Sequence, residues 1–329
     1  MLPNRGGFMF LSRIAVWMSA LGLTISCAGM VAAQVYPSKT IRIVAHGAGG
    51  AGDITARMIA KGLSASLGQE VTVDNRGTGV IPGGIVARAA PDGYTLLVAG
   101  TVIWLTQFMR EDPPFLPFKD FSPISLLVTT PNILVVHPSL PVKSVKEFIA
   151  LAKNRPGELN YASTGTGSSL HLAGALFEAM TGVNMVRVAY RRSAEAFTDL
   201  MSGRVQVMFP TAPPALPYIK SGKMRALAIG SAEPSALAPG LVTMAASGLP
   251  GYEAESILGM FAPAGTPATI INRLNQETVR FLNRADVKER LLNVGLEMVG
   301  SSPEQFAGKI RSEMARMGKV IRDAGIRAD

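Results

Sequence analysis

The chain has 329 residues, with 32 Lys and Arg against 23 Asp and Glu, one cysteine and few aromatic residues. One cysteine excludes a disulfide framework and a cysteine-ligated metal site. The basic excess has no Lys/Arg run or interleaved aromatics of the kind a nucleic-acid surface uses, so what remains is a globular protein of two-domain size with a modest bias towards anionic ligands.

At the N-terminus, Arg5 and Arg13 precede a segment from Ile14 to Ala33 that carries no charge, and it ends in Val31 and Ala33. This layout predicts a secretory signal peptide over residues 1–33, cleaved after Ala33. A membrane anchor is the alternative, because about 20 apolar residues can span a bilayer. Ser19, Thr24 and Ser26 weaken that alternative. Cys27 leaves with the segment, and Thr24 stands where a lipoprotein signal would carry Leu.

The first strand is predicted over residues 41–45. It runs into Gly47, Gly49, Gly50 and Gly52, and a helical pattern opens at Asp53. Glycines let a ligand approach backbone N–H groups. The unpaired N–H groups at a helix start, together with the helix dipole, favour a phosphate or carboxylate. The spacing Gly47-x-Gly49-x-x-Gly52, with Asp74 placed to hold a ribose, also fits an NAD(P)-dependent oxidoreductase.

Further strands are predicted over 70–74, 94–99, 133–136, 159–162, 185–189, 205–209 and 224–229. The turn Pro91-Asp92-Gly93 introduces the third of them. Ser144 is expected to cap a helix over 145–154, Thr266 one over 268–283, and Ser302-Pro303-Glu304 to open the last. The alternation indicates α/β architecture with largely parallel sheets.

A second loop, Ser163-Thr164-Gly165-Thr166-Gly167-Ser168-Ser169, links the strand over 159–162 to a helix from Leu170. Its hydroxyls and glycines again offer donors to an anion, although capping alone would also explain them. His46 and His171 adjoin the two loops. No G-x-S-x-G elbow and no H-E-x-x-H spacing occur. Ser168 and His171 lie three apart on one helix, which suits surface contact better than a proton relay. No catalytic residue, metal ligand or cofactor is therefore assigned.

Together these segments resemble the periplasmic solute-binding proteins of tripartite tricarboxylate transporters, the Bug family. The resemblance rests on Tyr36-Pro37-Ser38-Lys39, on Gly49-Gly50 with Asp53, on Asp74-Asn75-Arg76 and on Ala90-Pro91-Asp92-Gly93-Tyr94. Further pieces are Asp120-Phe121-Ser122-Pro123, Leu159-Asn160-Tyr161, His171-Leu172-Ala173, Gly248-Leu249-Pro250-Gly251-Tyr252 and Ala262-Pro263-Ala264-Gly265-Thr266-Pro267. Their order and spacing run through nearly the whole mature chain.

The resemblance implies an α/β, two-lobed periplasmic-binding-protein clamshell, type II-like, with two crossing segments. Lobe one is expected at 34–132 plus 231–329 and lobe two at 133–230. It implies a monomer that captures a small carboxylate and delivers it to transporter subunits in the membrane, without catalysis, cofactor or nucleic acid. The ligand residues implied are His46, Gly47, Ala48, Gly49, Gly50, Thr101, Ser163, Thr164, Gly165, Ser168, His171, Tyr190, Pro210 and Thr211, with Asp53 capping its helix. This chain departs from the family pattern at Ala45-His46-Gly47-Ala48, at Tyr190-Arg191-Arg192 and at Phe209-Pro210-Thr211. Pro210 replaces an Asp that would receive an amino group, so a mono- or dicarboxylate without one is expected. Backbone donors of Gly47–Gly50 and donors of Ser163–Ser168 are expected to hold it, without an arginine clamp.

Overall fold

A computed structural model describes residues 36–77 and 79–328; the predicted signal peptide, its cleavage point and Cys27 lie outside them. From Lys39 onwards the chain forms one compact unit. Its elements are β1 (Ile41–Ala45), α1 (Ala51–Leu67), β2 (Val71–Asn75), α2 (Ile81–Ala87), β3 (Thr95–Ala99), α3 (Val102–Met109), α4 (Pro117–Asp120), β4 (Phe121–Pro131) and β5 (Ile133–Val136). They continue with α5 (Val145–Asn154), β6 (Asn160–Ser163), α6 (Ser169–Thr181), β7 (Val186–Ala189), α7 (Ser193–Met201), β8 (Val207–Met208), α8 (Ala212–Lys220) and β9 (Arg225–Ile229). The last are β10 (Glu255–Pro263), α9 (Ala268–Leu282), α10 (Ala285–Asn293), β11 (Glu297–Met298) and α11 (Pro303–Asp323).

Two sheets carry the fold, which is two-lobed. The first has the order β11-β4-β10-β3-β1-β2 and the second β7-β6-β8-β5-β9. Both repeat one plan. In the first, β1 lies between β2 and β3, parallel to each, and β10 and β4 then alternate in direction. In the second, β6 lies between β7 and β8, parallel to each, and β5 and β9 alternate in the same way. The sheets are mixed, not largely parallel. The difference comes from β4, β10 and β11, which the sequence reading left unassigned, and from β5 and β9, which it placed without direction.

β1 is an apolar run because both its faces are covered: Ile41, Ile43, Val44 and Ala45 are all fully buried, as is usual in parallel sheets flanked by helices. Around the first sheet Trp104, Phe261 and Phe306 pack with ring centroids 5.0–6.3 Å apart. Gly259 in β10 is required there, because a Cβ would lie 2.0 Å from the Phe306 ring. Around the second sheet Phe177 packs on Phe148 and Phe209 at 5.6 and 5.5 Å.

A single residue, Asn132, separates β4 from β5. Its N–H donates to Ala254 O (3.0 Å), and its carbonyl accepts from Gly230 N–H (2.7 Å). Ala254 N–H donates in turn to Gly230 O (2.8 Å). Chain passing between the sheets is thus tied together at one level. Residues between Gly230 and Ala254 touch both sides: Thr243 bridges Ile229 and Tyr252 Oη donates to Ala173 O in α6 (2.9 Å), while Ser235 Oγ donates to Glu297 Oε1 in β11 (2.7 Å).

Candidate functional site

Loop one follows the carboxyl end of β1. The chain leaves β1 through α1 to β2 on one side and returns through α2 to β3 on the other. Strand order reverses there, and in open α/β sheets such a switch point makes a crevice beside the helix start. The second sheet repeats this around β6, with α6 and β7 on one side and α7 and β8 on the other. Loop two, residues 164–168, therefore holds the position in its sheet that loop one, residues 46–50, holds in the first.

Helix α1 begins at Ala51, earlier than predicted, with Gly50 as N-cap and no side-chain cap. Asp53 is its third residue and does not cap it in the expected sense. Its carboxylate reaches back instead, accepting from Gly49 N–H (2.9 Å) and Asn75 Nδ2 (3.0 Å) and pairing with Arg57 Nε (2.8 Å). The Gly49 bond leads in holding this carboxyl below its usual range, with Asn75 and Arg57 assisting against burial. Asn75 Nδ2 also donates to His46 O (2.7 Å), and His46 Nε2 meets Gly79 O at 3.0 Å. Gly47 N–H donates to Gly77 O (2.9 Å). Two donors expected for a ligand, on Gly47 and Gly49, are thus used inside the protein. Among the described residues no acceptor takes the N–H groups of Ala48, Gly50, Ala51 or Gly52. Gly49 has φ 86°, which glycine adopts without steric cost.

Loop two is built alike. Gly167 has φ 78° and stands before the N-cap, Ser168. Ser168 Oγ accepts from His171 N–H (3.3 Å), and Gly167 N–H donates to His171 Nδ1 (3.2 Å). Burial, and then the charge of Arg187, lower the His171 imidazole to about 4. It is therefore neutral near pH 7, with its proton on Nε2. Ser163 closes β6 at the entry to the loop, and its hydroxyl is engaged within the protein. It is fully buried; its hydroxyl donates to Thr164 O (3.2 Å) and accepts from Arg187 Nε (2.7 Å). Arg187 Nη2 also donates to Thr164 O (2.9 Å). An arginine does stand at this loop, supplied by β7 and not by the loop itself. The N–H groups of Gly165 and Thr166 have no acceptor among the described residues.

The remaining expected residues are distributed around these loops. Tyr190 follows β7; its hydroxyl donates to Asp199 Oδ2 (2.9 Å), and burial with Asp199 pushes it up to about 12. Arg191 and Arg192 are exposed. Pro210 O accepts from Ile133 N–H (2.8 Å), and Thr211 bridges Asn132, so both stand at the crossing. Thr101 precedes α3 and lines a small cavity of about 20 Å³ with Ser169, Glu253, Glu255 and Glu313, room for one water. In that cavity burial pushes Glu255 up to about 7, although Lys309 lies 3.8 Å away. Close approach of Gly167 to the Met109 sulfur sets loop two beside α3.

Arg187, Asn75 and Arg57 escaped the sequence reading as supports of the loops. None of the three lies within a loop, and the register Tyr161↔Arg187 is invisible without the strand pairing. Asp74, the candidate ribose acid, meets Arg76 Nε at 2.8 Å and Arg42 Nη1 at 3.5 Å.

Residues 55–326 match the model of the tripartite tricarboxylate transporter family receptor. The chain is 36% identical to protein BugT of Bordetella pertussis over 316 residues, 94% of this chain and 97% of that protein. It is similar to the R. palustris protein Rpa4515 solved with adipate, at 35% identity and a TM-score of 0.74, covering 89% of this chain and 99% of the other. It is also similar to MatC of Rhodopseudomonas palustris with bound malate, at 29% identity and a TM-score of 0.71, over 87% and 100% of the two chains. These likenesses give the oxidoreductase alternative no support.

Proposed function

Because the chain belongs to the receptor family of the tripartite tricarboxylate transporters, we propose that it is a periplasmic receptor for a small dicarboxylate without an amino group. It captures the ligand between its lobes and presents it to membrane subunits of such a transporter, with no reaction on the ligand. The observation that carries this reading is the matched pair of helix starts. The first turns of α1 and α6 stand at equivalent switch points, each behind a positive-φ glycine, with N–H groups open to an anion. The acid at loop one supports the absence of an amino group: Asp53 is engaged by Gly49, Asn75 and Arg57 and offers an ammonium no free carboxylate.

The ligand contacts proposed are the N–H groups of Ala48, Gly50, Gly165 and Thr166, the Ser168 hydroxyl and the His171 ring. We further propose cleavage after Ala33. Lobe one then holds residues 34–132 and 231–329 and lobe two residues 133–230, with the segment between Gly230 and Ala254 touching both sheets. The test is calorimetry with purified mature protein against C2 to C10 mono- and dicarboxylates, adipate and malate among them, beside glutamate and aspartate. Saturable binding of a plain dicarboxylate is expected. Tight binding of glutamate or aspartate alone would overturn the proposal, as would saturable binding of NADH.

A further inference from the structure

Arg187 is half-buried on β7, and two of its guanidinium nitrogens are fixed where β6 runs into loop two: Nε donates to Ser163 Oγ (2.7 Å) and Nη2 to Thr164 O (2.9 Å). Among the described residues no carboxylate pairs with it, and Nη1 donates to no acceptor. A cation partly withdrawn from water needs a counter-charge, because its desolvation is otherwise uncompensated. The oxygens it holds are a hydroxyl and a carbonyl, which orient it without neutralising it.

The groups that touch Arg187 are neutral; the nearby acid, Glu178 of α6, accepts from Met185 N–H (2.8 Å) and makes no ion pair with Arg187. Above it stands the N-terminus of α6, the positive end of the helix dipole. His171, in the first turn of that helix, is neutral and adds no negative charge. Loop one differs. There the residue equivalent to His171 is an acid, Asp53, whose charge is matched by Arg57 at 2.8 Å. The two loops are alike in backbone and unlike in charge: loop one is balanced and loop two carries an unbalanced cation.

We infer that Arg187 is the charge-determining residue of the ligand site: it makes loop two the anchor for an ionised carboxylate and leaves loop one to receive the ligand's other end. This deepens the carboxylate-receptor reading and rests on it. Arg187 acts as a positioning residue from beneath the loop. It holds Ser163 and Thr164 by their oxygens, keeps the loop's N–H groups turned away from itself, and supplies the field that a carboxylate at those N–H groups meets.

The experiment measures adipate and malate affinity of the full mature protein, and of Arg187→Met and Arg187→Lys, at several salt concentrations. Melting curves check that each variant folds. Arg187→Met is expected to lose at least about tenfold in affinity and most of the salt dependence of binding. Arg187→Lys keeps the cation and loses the two-pronged hold, so it should restore the salt dependence and only part of the affinity. Should Arg187→Met fail to fold, Arg187→Lys and Arg187→Gln make the same comparison. If Met or Gln binds within about threefold of wild type, the inference is overturned. It is also overturned if Met and Lys lose affinity equally with the salt dependence unchanged, since Arg187 is then only a brace. A wild-type protein that binds no carboxylate of the panel overturns the receptor reading, and this inference with it.

Discussion

Asp53 and His171 are structural counterparts. Each is the third residue of the helix that starts its loop, and each accepts the N–H of the positive-φ glycine four residues earlier, Gly49 at 2.9 Å and Gly167 at 3.2 Å. The same lock is made once by a carboxylate and once by a neutral imidazole, so acid should act on the two loops at different pH.

The His171 lock should open first as pH falls. Its folded value is lowered to about 4 from 6.5, so the unfolded chain takes up a proton that the folded protein refuses. The stability this neutral form confers is complete above about pH 6.5 and declines as pH falls towards about 4. Melting temperature measured from pH 8 to pH 4 should show that decline. His171→Gln, which can still accept the Gly167 bond, should flatten that part of the curve. An unchanged slope would remove His171 as the titrating group.

Asp53→Asn removes the charged acceptor of Gly49 N–H in loop one. Hydrogen bonds to a charged group contribute about 1.5–3 kcal/mol, so a loss of about 1–3 kcal/mol is expected in chemical denaturation. Affinity should fall as well, because Gly49 and Asn75 no longer share one anchor. For wild type, the stability from ionised Asp53 is present above the ordinary carboxylate range and lost as pH falls through its depressed folded value. Equal stability of Asp53→Asn and wild type at pH 7 would contradict this account.

Glu255 should work in the opposite sense. Burial raises it to about 7, with Glu253, Glu313 and Glu297 adding to the rise and Lys309 opposing it. Arg316 stands in the same network, bonded to Glu253 and Glu313. A raised folded value means that stability is greatest below the ordinary carboxylate range and is lost as pH rises through about 7. Glu255→Gln cannot ionise, so it should melt higher than wild type at pH 8 and close to it at pH 5. A lower melting temperature at both pH values would mean that the Lys309 contact dominates.

Gly259→Ala tests the first sheet without touching the loops. The added methyl meets the ring of Phe306, itself fully buried between Trp104 and Phe261. Overpacking of this kind costs about 1–3 kcal/mol. Melting should fall by several degrees while carboxylate affinity stays within about twofold of wild type.

The central strands were legible because they are covered on both faces. β1 and β5 read as short apolar runs and have the predicted ends, and the Ser144 and Ser302 caps take the expected N–H groups of Glu147 and Gln305. β4 and β10 were not legible: Pro123, Ser125, Thr129 and Thr130 interrupt the first, and Gly259 with its register shifts interrupts the second. Thr266 was expected as a cap, yet its hydroxyl donates to Pro263 O and Pro267 takes the N-cap position. At the site, both loops could be read from glycine and hydroxyl spacing. What fixes them could not, because Asn75 and Arg187 come from neighbouring strands and act through pairing that sequence distance conceals.

The crossing at Asn132 has no slack. One residue joins β4 to β5, and its backbone is bonded on both sides, to Gly230 and to Ala254. Rotation between the lobes cannot be taken up by paying out loop; it has to be shared as small torsions by three bonded residues. A joint this short holds little conformational freedom, so the ordering entropy that a floppy linker would lose on each capture is already absent before a ligand arrives.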